Sequence, residues 1–241
     1  MKKHLLFTFT LVLGCLLFIS FAKADSYKPS DLVVAAKADS AAVGANSLSD
    51  QLYEELGLES AGLSPEVLDY AVEGYEKLDS QGRVDNPVLT IVDFSQSSRS
   101  KRLYLIDMEN RRLLTNTFVA HGKRSGVDMA TNFSNRIHSE ASSLGFYLTK
   151  QTYMGKHGLS LRLAGQEPGF NDNAEARGVV VHGADYVNPG RVNSAYMGRS
   201  QGCPALPMNE YASVIREIKG GSVMFIYAPE ETYLGSSSLL N

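Results

Sequence analysis

Cysteine is almost absent from this chain. Of its 241 residues only Cys15 and Cys203 carry a thiol, and Cys15 lies in an apolar N-terminal leader. No pair remains for an intrachain disulfide once the leader is set aside. A lone thiol in an exported protein is unusual, and it is either reactive or buried and inert. Basic runs are absent as well. Lys and Arg are scattered and the net charge is −3, so nucleic acid is excluded as a partner. There is no G-x-G-x-x-G, no P-loop and no H-E-x-x-H, and no internal repeat. One cysteine with dispersed histidines gives no zinc-ligand spacing, so no metal is expected.

Residues 1–24 read as a secretory signal. Met1-Lys2-Lys3 is the basic start, Leu5 to Phe21 is apolar, and Ala22-Lys23-Ala24 is the cleavage site. Cleavage would leave Asp25 first, in an exported protein of the periplasm or cell envelope. Two other readings stay open: lipidation at Cys15, in Val12-Leu13-Gly14-Cys15, and an uncleaved anchor. The leader holds Lys2, Lys3 and Lys23 and no acid, so its removal leaves a charge near −6.

Residues 25–46, rich in Ala, Asp, Lys and Ser, read as a flexible linker. A helical prologue is expected over 47–86. Leu48 to Leu58 forms its first helix. Ser64 caps the second, with Pro65 in the first turn and an apolar face of Val67, Leu68, Ala71, Val72, Tyr75 and Leu78. From Pro87 the pattern changes to strands: Val88–Phe94, Arg102–Asp107, Leu113–Ala120, Leu144–Lys150 and Ser222–Tyr227. Gln151 to Arg177, punctuated by glycines, reads as irregular apart from a short strand at Leu159–Leu163. Met208–Lys219 is expected to be a helix. Residues 87–228 make the main domain, which is long enough to bury a full core, and 229–241 a C-terminal tail.

The chemistry gathers between His182 and Pro207, H-G-A-D-Y-V-N-P-G-R-V-N-S-A-Y-M-G-R-S-Q-G-C-P-A-L-P. The apolar run Gly178 to Val181 reads as a buried strand and puts the His182 imidazole at its end. A thiol is a weak nucleophile until a neighbour takes its proton, and histidine is the usual partner. Ser200-Gln201-Gly202-Cys203 is a small polar turn able to aim backbone N–H groups at an oxyanion. Pro204 has no N–H, so the donors expected are Cys203 with Gly202 or Gln201. Ser200 is expected to hold the turn through its hydroxyl. His121, His138 and His157 read as exposed polar residues near loops, and His121 could reach the site. Tyr147, Tyr153 and Tyr186 are candidates for a substrate shelf, against the alternative of ordinary packing.

H-G followed by a long gap and S-x-G-C, here G-R-S-Q-G-C-P-A-L-P, resembles the signature of the YkuD-type L,D-transpeptidases of bacterial cell walls. Ser142-Ser143-Leu144-Gly145-Phe146-Tyr147 is similar to a strand motif of that family, and the resemblance extends from about Pro87 to Ala228. It implies a mainly β fold with a few helices, a β-sandwich or barrel-like core carrying the helical prologue. It implies Cys203 as nucleophile, His182 as base, and the main chain next to the histidine, at Gly183, as the group that orients the ring. Asp185 is the rival for that orienting role. The implied substrate is a peptidoglycan stem peptide, with a second stem, water or a lysine of a wall lipoprotein as acceptor. No metal or organic cofactor is implied, a monomer is expected, and carbapenems should acylate the thiol. A non-catalytic wall-binding protein is the rival reading. The commoner family pattern has an arginine two residues after the cysteine, where this chain has Ala205. Arg199, then Arg177, then Arg191 are the candidates to bind a substrate carboxylate in its place.

Overall fold

The computed structural model describes residues 47–241, and the expected signal and linker lie outside the described residues. Ser47 starts α1 (Leu48–Glu55) with a capping box: its side chain accepts from the Asp50 N–H, and Asp50 accepts from the Ser47 N–H. After α2 (Leu58–Ala61), Ser64 caps α3 (Pro65–Ser80). Val67, Leu68, Ala71, Val72, Tyr75 and Leu78 are buried, as their helical spacing predicts. They join one core with the strands that follow. The approach is closest at Gly74, where a Cβ would stand 2.0 Å from the Phe146 ring. Only glycine allows α3 to lie this near the sheet.

The strands are β1 (Val88–Asp93), β2 (Leu103–Asp107), β3 (Arg112–Thr117), β4 (His121–Gly122), β5 (Gly145–Gly155), β6 (Gly158–Gly165), β7 (Val180–Gly183), β8 (Arg199–Ser200), β9 (Ala205–Leu206) and β10 (Val223–Tyr227). Eight of them form one mixed sheet in the order β3-β2-β1-β10-β5-β6-β7-β9. β1 with β10 and β7 with β9 are parallel, and the other neighbours are antiparallel. Every residue of β1 and β10 is buried. This fits continuous apolar runs covered on both faces, with α3 and α4 (Tyr211–Ile218) both packed on β1.

The sheet curls until its edges nearly meet. Ala120, just beyond edge strand β3, pairs with Ala205 in the opposite edge strand β9, its N–H 2.9 Å from the Ala205 carbonyl. β4 then pairs with β8 in a small second sheet. The third strand therefore stops at Thr117 rather than Ala120, because the chain leaves one edge to close against the other.

Two further expectations are corrected. Residues 151–165 are not irregular. β5 and β6 form a long hairpin turning at Gly155-Lys156-His157-Gly158. Its glycines mark the turn, with Gly158 at φ +76. The C-terminal segment is an ordered element, α5 (Glu231–Ser236), capped by the Glu230 carboxylate. Tyr233 and Ser237 donate from it to the buried Glu167 carboxylate, which also accepts from the Phe146 N–H. Burial pushes the Glu167 carboxyl up, and these three donors oppose the shift.

Candidate active site

The parallel pairing of β7 with β9 creates the site. His182 lies opposite Ala205, and the His182 N–H reaches the Pro204 carbonyl at 3.4 Å. Cys203, which precedes Pro204, is thereby held beside the strand carrying the imidazole. Its Sγ lies 3.8 Å from the Gly178 carbonyl. Cys203 and His182 both line one cleft of about 1080 Å³.

The His182 Nδ1 sits 2.8 Å from the Gly183 carbonyl. A carbonyl only accepts, so Nδ1 carries the proton and Nε2 keeps a lone pair. Asp185 is exposed and has no part in holding the ring. Burial lowers the His182 pKa, the Gly183 contact opposes this, and His157 and Lys156 lower it further. Burial pushes the Cys203 thiol up, against the pull of the Val180 N–H, Arg177 and Lys156. Both shifts favour a neutral thiol and a neutral imidazole at rest, rather than a preformed ion pair.

Ser200 organises the turn. Its hydroxyl donates to the Cys203 carbonyl at 2.6 Å and accepts from the Gly202 N–H at 3.0 Å. The Gly202 N–H is therefore committed to Ser200, which removes it as an oxyanion donor and leaves Cys203 and Gln201. Gly202 serves by its conformation instead. At φ +118, a Cβ there would stand 2.8 Å from the Ala141 carbonyl and 3.1 Å from Arg177 Nη2.

The histidines separate. His157, at the tip of the β5–β6 hairpin, stacks on His182 with ring centroids 4.4 Å apart, and His138 also lines the cleft. His121 is fully buried, not exposed as expected, and does not enter the cleft. It lies opposite Arg199 in the β4–β8 pair, and its Nδ1 takes a bond from Arg102 Nη2 at 2.8 Å. Arg102 is itself buried, over the Phe94 ring and bonded to the Val119 carbonyl. Tyr147 is a core residue bonded to Ser143, whereas Tyr153 and Tyr186 line the cleft.

The burial of His121, with Arg102 beside it, makes this part of the fold acid-sensitive. Burial, with Arg102 and Arg199 beside it, lowers the His121 pKa to about 4. The folded state thus binds fewer protons than the unfolded chain. The stability is fully present above the free imidazole value and is lost as pH falls toward 4, by about 3 kcal/mol. The stability difference between wild type and His121→Gln, from urea melts, should shrink by about that amount between pH 7 and pH 4. A constant difference would reject the assignment.

The candidate arginines differ. Arg199 lines the cleft, lies over the Tyr196 ring, and commits Nη1 to the Lys123 and Gly126 carbonyls. Arg177 precedes β7 rather than starting it, and it also lines the cleft, packed against Gly202 of the nucleophile turn. Arg191 sits in a short 3-10 turn (Pro189–Arg191) outside the cleft. Among the described residues Lys156, Arg177 and Arg199 form no ion pair, while Lys123 pairs with Glu140 at 2.6 Å. The cleft is therefore cationic.

The family profile for the L,D-transpeptidase catalytic domain matches residues 59–227, starting earlier than the resemblance from Pro87 and taking in α3. No curated protein sequence matches the chain. Among solved structures, the chain is 14% identical to an L,D-transpeptidase from Mycobacterium smegmatis, covering 59% of each chain with a TM-score of 0.37. It is 13% identical to a helical cell shape determining protein from Campylobacter jejuni, covering 66% of this chain and 56% of that one, TM-score 0.40. It is 14% identical to L,D-transpeptidase 3 from Mycobacterium tuberculosis, solved with a faropenem-derived adduct, covering 59% and 60% of the two chains, TM-score 0.36. The match spans less than two thirds of each of these solved chains.

Proposed function

The chain belongs to the L,D-transpeptidase catalytic domain family, and we propose that it is a cysteine acyltransferase that remodels bacterial peptidoglycan. The observation that carries this reading is the imidazole of His182, fixed by the Gly183 carbonyl with Nε2 free, in one cleft with Cys203.

Nε2 of His182 takes the thiol proton as Sγ attacks the carbonyl of the third residue of a stem tetrapeptide. The developing oxyanion accepts from the N–H groups of Cys203 and Gln201. The C–N bond to the terminal D-Ala breaks, and the amine leaves with the proton from His182. An amine of a second stem attacks the thioester and gives up its proton to His182. The Cys203 thiol is restored and a 3–3 cross-link forms. Neutral partners at rest suit this scheme, because the proton moves only as the carbonyl is attacked. The cationic cleft suits a donor that presents carboxylates. Arg199 is the residue proposed to hold one of them, because only its Nη1 is committed.

The test is mass analysis of disaccharide-tetrapeptide incubated with the exported chain. Free D-Ala and 3–3 dimers are expected. Free D-Ala with tripeptide alone would make the enzyme an L,D-carboxypeptidase, and transfer only to added lipoprotein would make it an anchoring enzyme. Unchanged tetrapeptide would leave the wall-binding reading.

A further inference from the structure

We propose that Arg177 is a positioning residue for the nucleophile: an uncompensated cation of the cleft wall, locked against the Ser200–Cys203 turn, that stabilises negative charge on Cys203 Sγ and does not bind substrate.

The geometry carries this. Nη1 of Arg177 donates to the Ser134 carbonyl at 2.8 Å and to Ser143 Oγ at 3.0 Å, and Nη2 to Ser139 Oγ at 3.1 Å and to the Ala141 carbonyl. Four donors of the guanidinium fork are thus committed to protein acceptors, so it has no pair of parallel N–H groups left for a carboxylate. All four acceptors are neutral, and no carboxylate pairs with Arg177 among the described residues. The charge is held in place without being cancelled.

It is held at the right place. The bonds to residues 134–143 fasten that loop against the nucleophile turn. Ser142 Oγ reaches the Gly202 carbonyl at 3.4 Å, and the guanidinium packs against Gly202 so closely that a Cβ there would stand 3.1 Å from Nη2. Burial makes the thiol hard to ionise, and Arg177 is the first of the two cations that oppose this. The second, Lys156, is exposed on the hairpin tip. The other titratable groups lining the cleft are His182 on β7, Tyr153 and His157 on the hairpin, His138, Tyr186 and Arg199, with Glu140 already paired to Lys123. Arg177 has both Nη groups bonded and packs on Gly202, next to the nucleophile, whereas Arg199 is held by Nη1 alone. In a half-buried site such a charge is screened less than it would be in water.

The test is the pH dependence of Cys203 alkylation by iodoacetamide. The thiol proton leaves, an S–C bond forms, and iodide departs. Arg177→Gln should slow alkylation at pH 7 by roughly tenfold, as its midpoint rises by about one unit. Arg177→Lys, which keeps the charge without the fork, should restore most of the rate. Arg199→Ala should leave the profile in place while stem-peptide turnover falls. Three results would overturn the inference: an unmoved profile in a folded Arg177→Gln variant, a lysine variant shifted as far as the glutamine one, or an Arg199→Ala profile shifted equally. Should Arg177→Gln not fold, the lysine variant decides, because its profile must stay near wild type. The inference rests on the acyl-transfer reading only in taking Cys203 as the nucleophile. Iodoacetamide needs no peptide, so wild-type protein with this profile but no stem-peptide turnover would sink that reading and leave the role of Arg177 standing.

Discussion

Cys203→Ala is expected to lower D-Ala release from a stem tetrapeptide by at least roughly a thousandfold, the scale of losing a covalent nucleophile. The same variant should melt within a few degrees of wild type. The turn does not depend on the thiol, since Ser200 ties it to the Cys203 carbonyl and the Gly202 N–H. Cys203 is only partly buried, so the alanine opens little space in the core. Activity within tenfold of wild type would reject the nucleophile. A molten variant would mean that the thiol packs rather than reacts.

His182→Ala should slow acylation by roughly a hundredfold or more, the range for a lost general base. The pH profile gives the sharper test. In wild type, kcat/KM should rise with pH through a midpoint below the usual imidazole value, because burial lowers the His182 pKa. Such midpoints belong to the thiol–imidazole pair rather than to one residue. The variant should lose this limb and keep only a rise at high pH, where the thiol ionises unaided. An acid limb that survives in His182→Ala would assign the base elsewhere, with His157, stacked on the same ring, as the next residue to test.

The legible part of the site is local. His182 ends a β-branched run, and Cys203 sits in a turn of Ser, Gln, Gly and Pro; neighbours within a few residues define both environments. The fold was legible for the same reason wherever apolar periodicity is unbroken, as in α3, β1 and β10. The hairpin of β5 and β6 was harder to read. Gly155 and Gly158 read as loop punctuation, and Tyr153 and Met154 beside them are exposed, so the extension carries little apolar signal. The α5 segment is not legible locally, because its anchor, Glu167, lies 66 residues from Tyr233.

Arg177 and His121 show where local reading stops. Arg177 reads as a candidate carboxylate ligand at the start of a strand, whereas its Nη groups are bonded to acceptors 34 to 43 residues away. His121 looks like a polar residue at a strand end, and it is buried because the sheet closes from β3 toward β9 at that point. Periodicity and turn chemistry carry no information about such closures. α3 was readable as a helix, yet its membership of the catalytic core depends on Gly74 meeting Phe146 across the sequence.

Cys203 is proposed to accept an acyl group in this cleft. A carbapenem tests it most directly, because its strained carbonyl leaves a stable adduct that peptide mapping can place. One adduct per chain, with the mass of the whole drug and located on the peptide containing Cys203, is the expected result. An adduct on another residue, or none at high drug concentration, would mean that Cys203 is not the nucleophile.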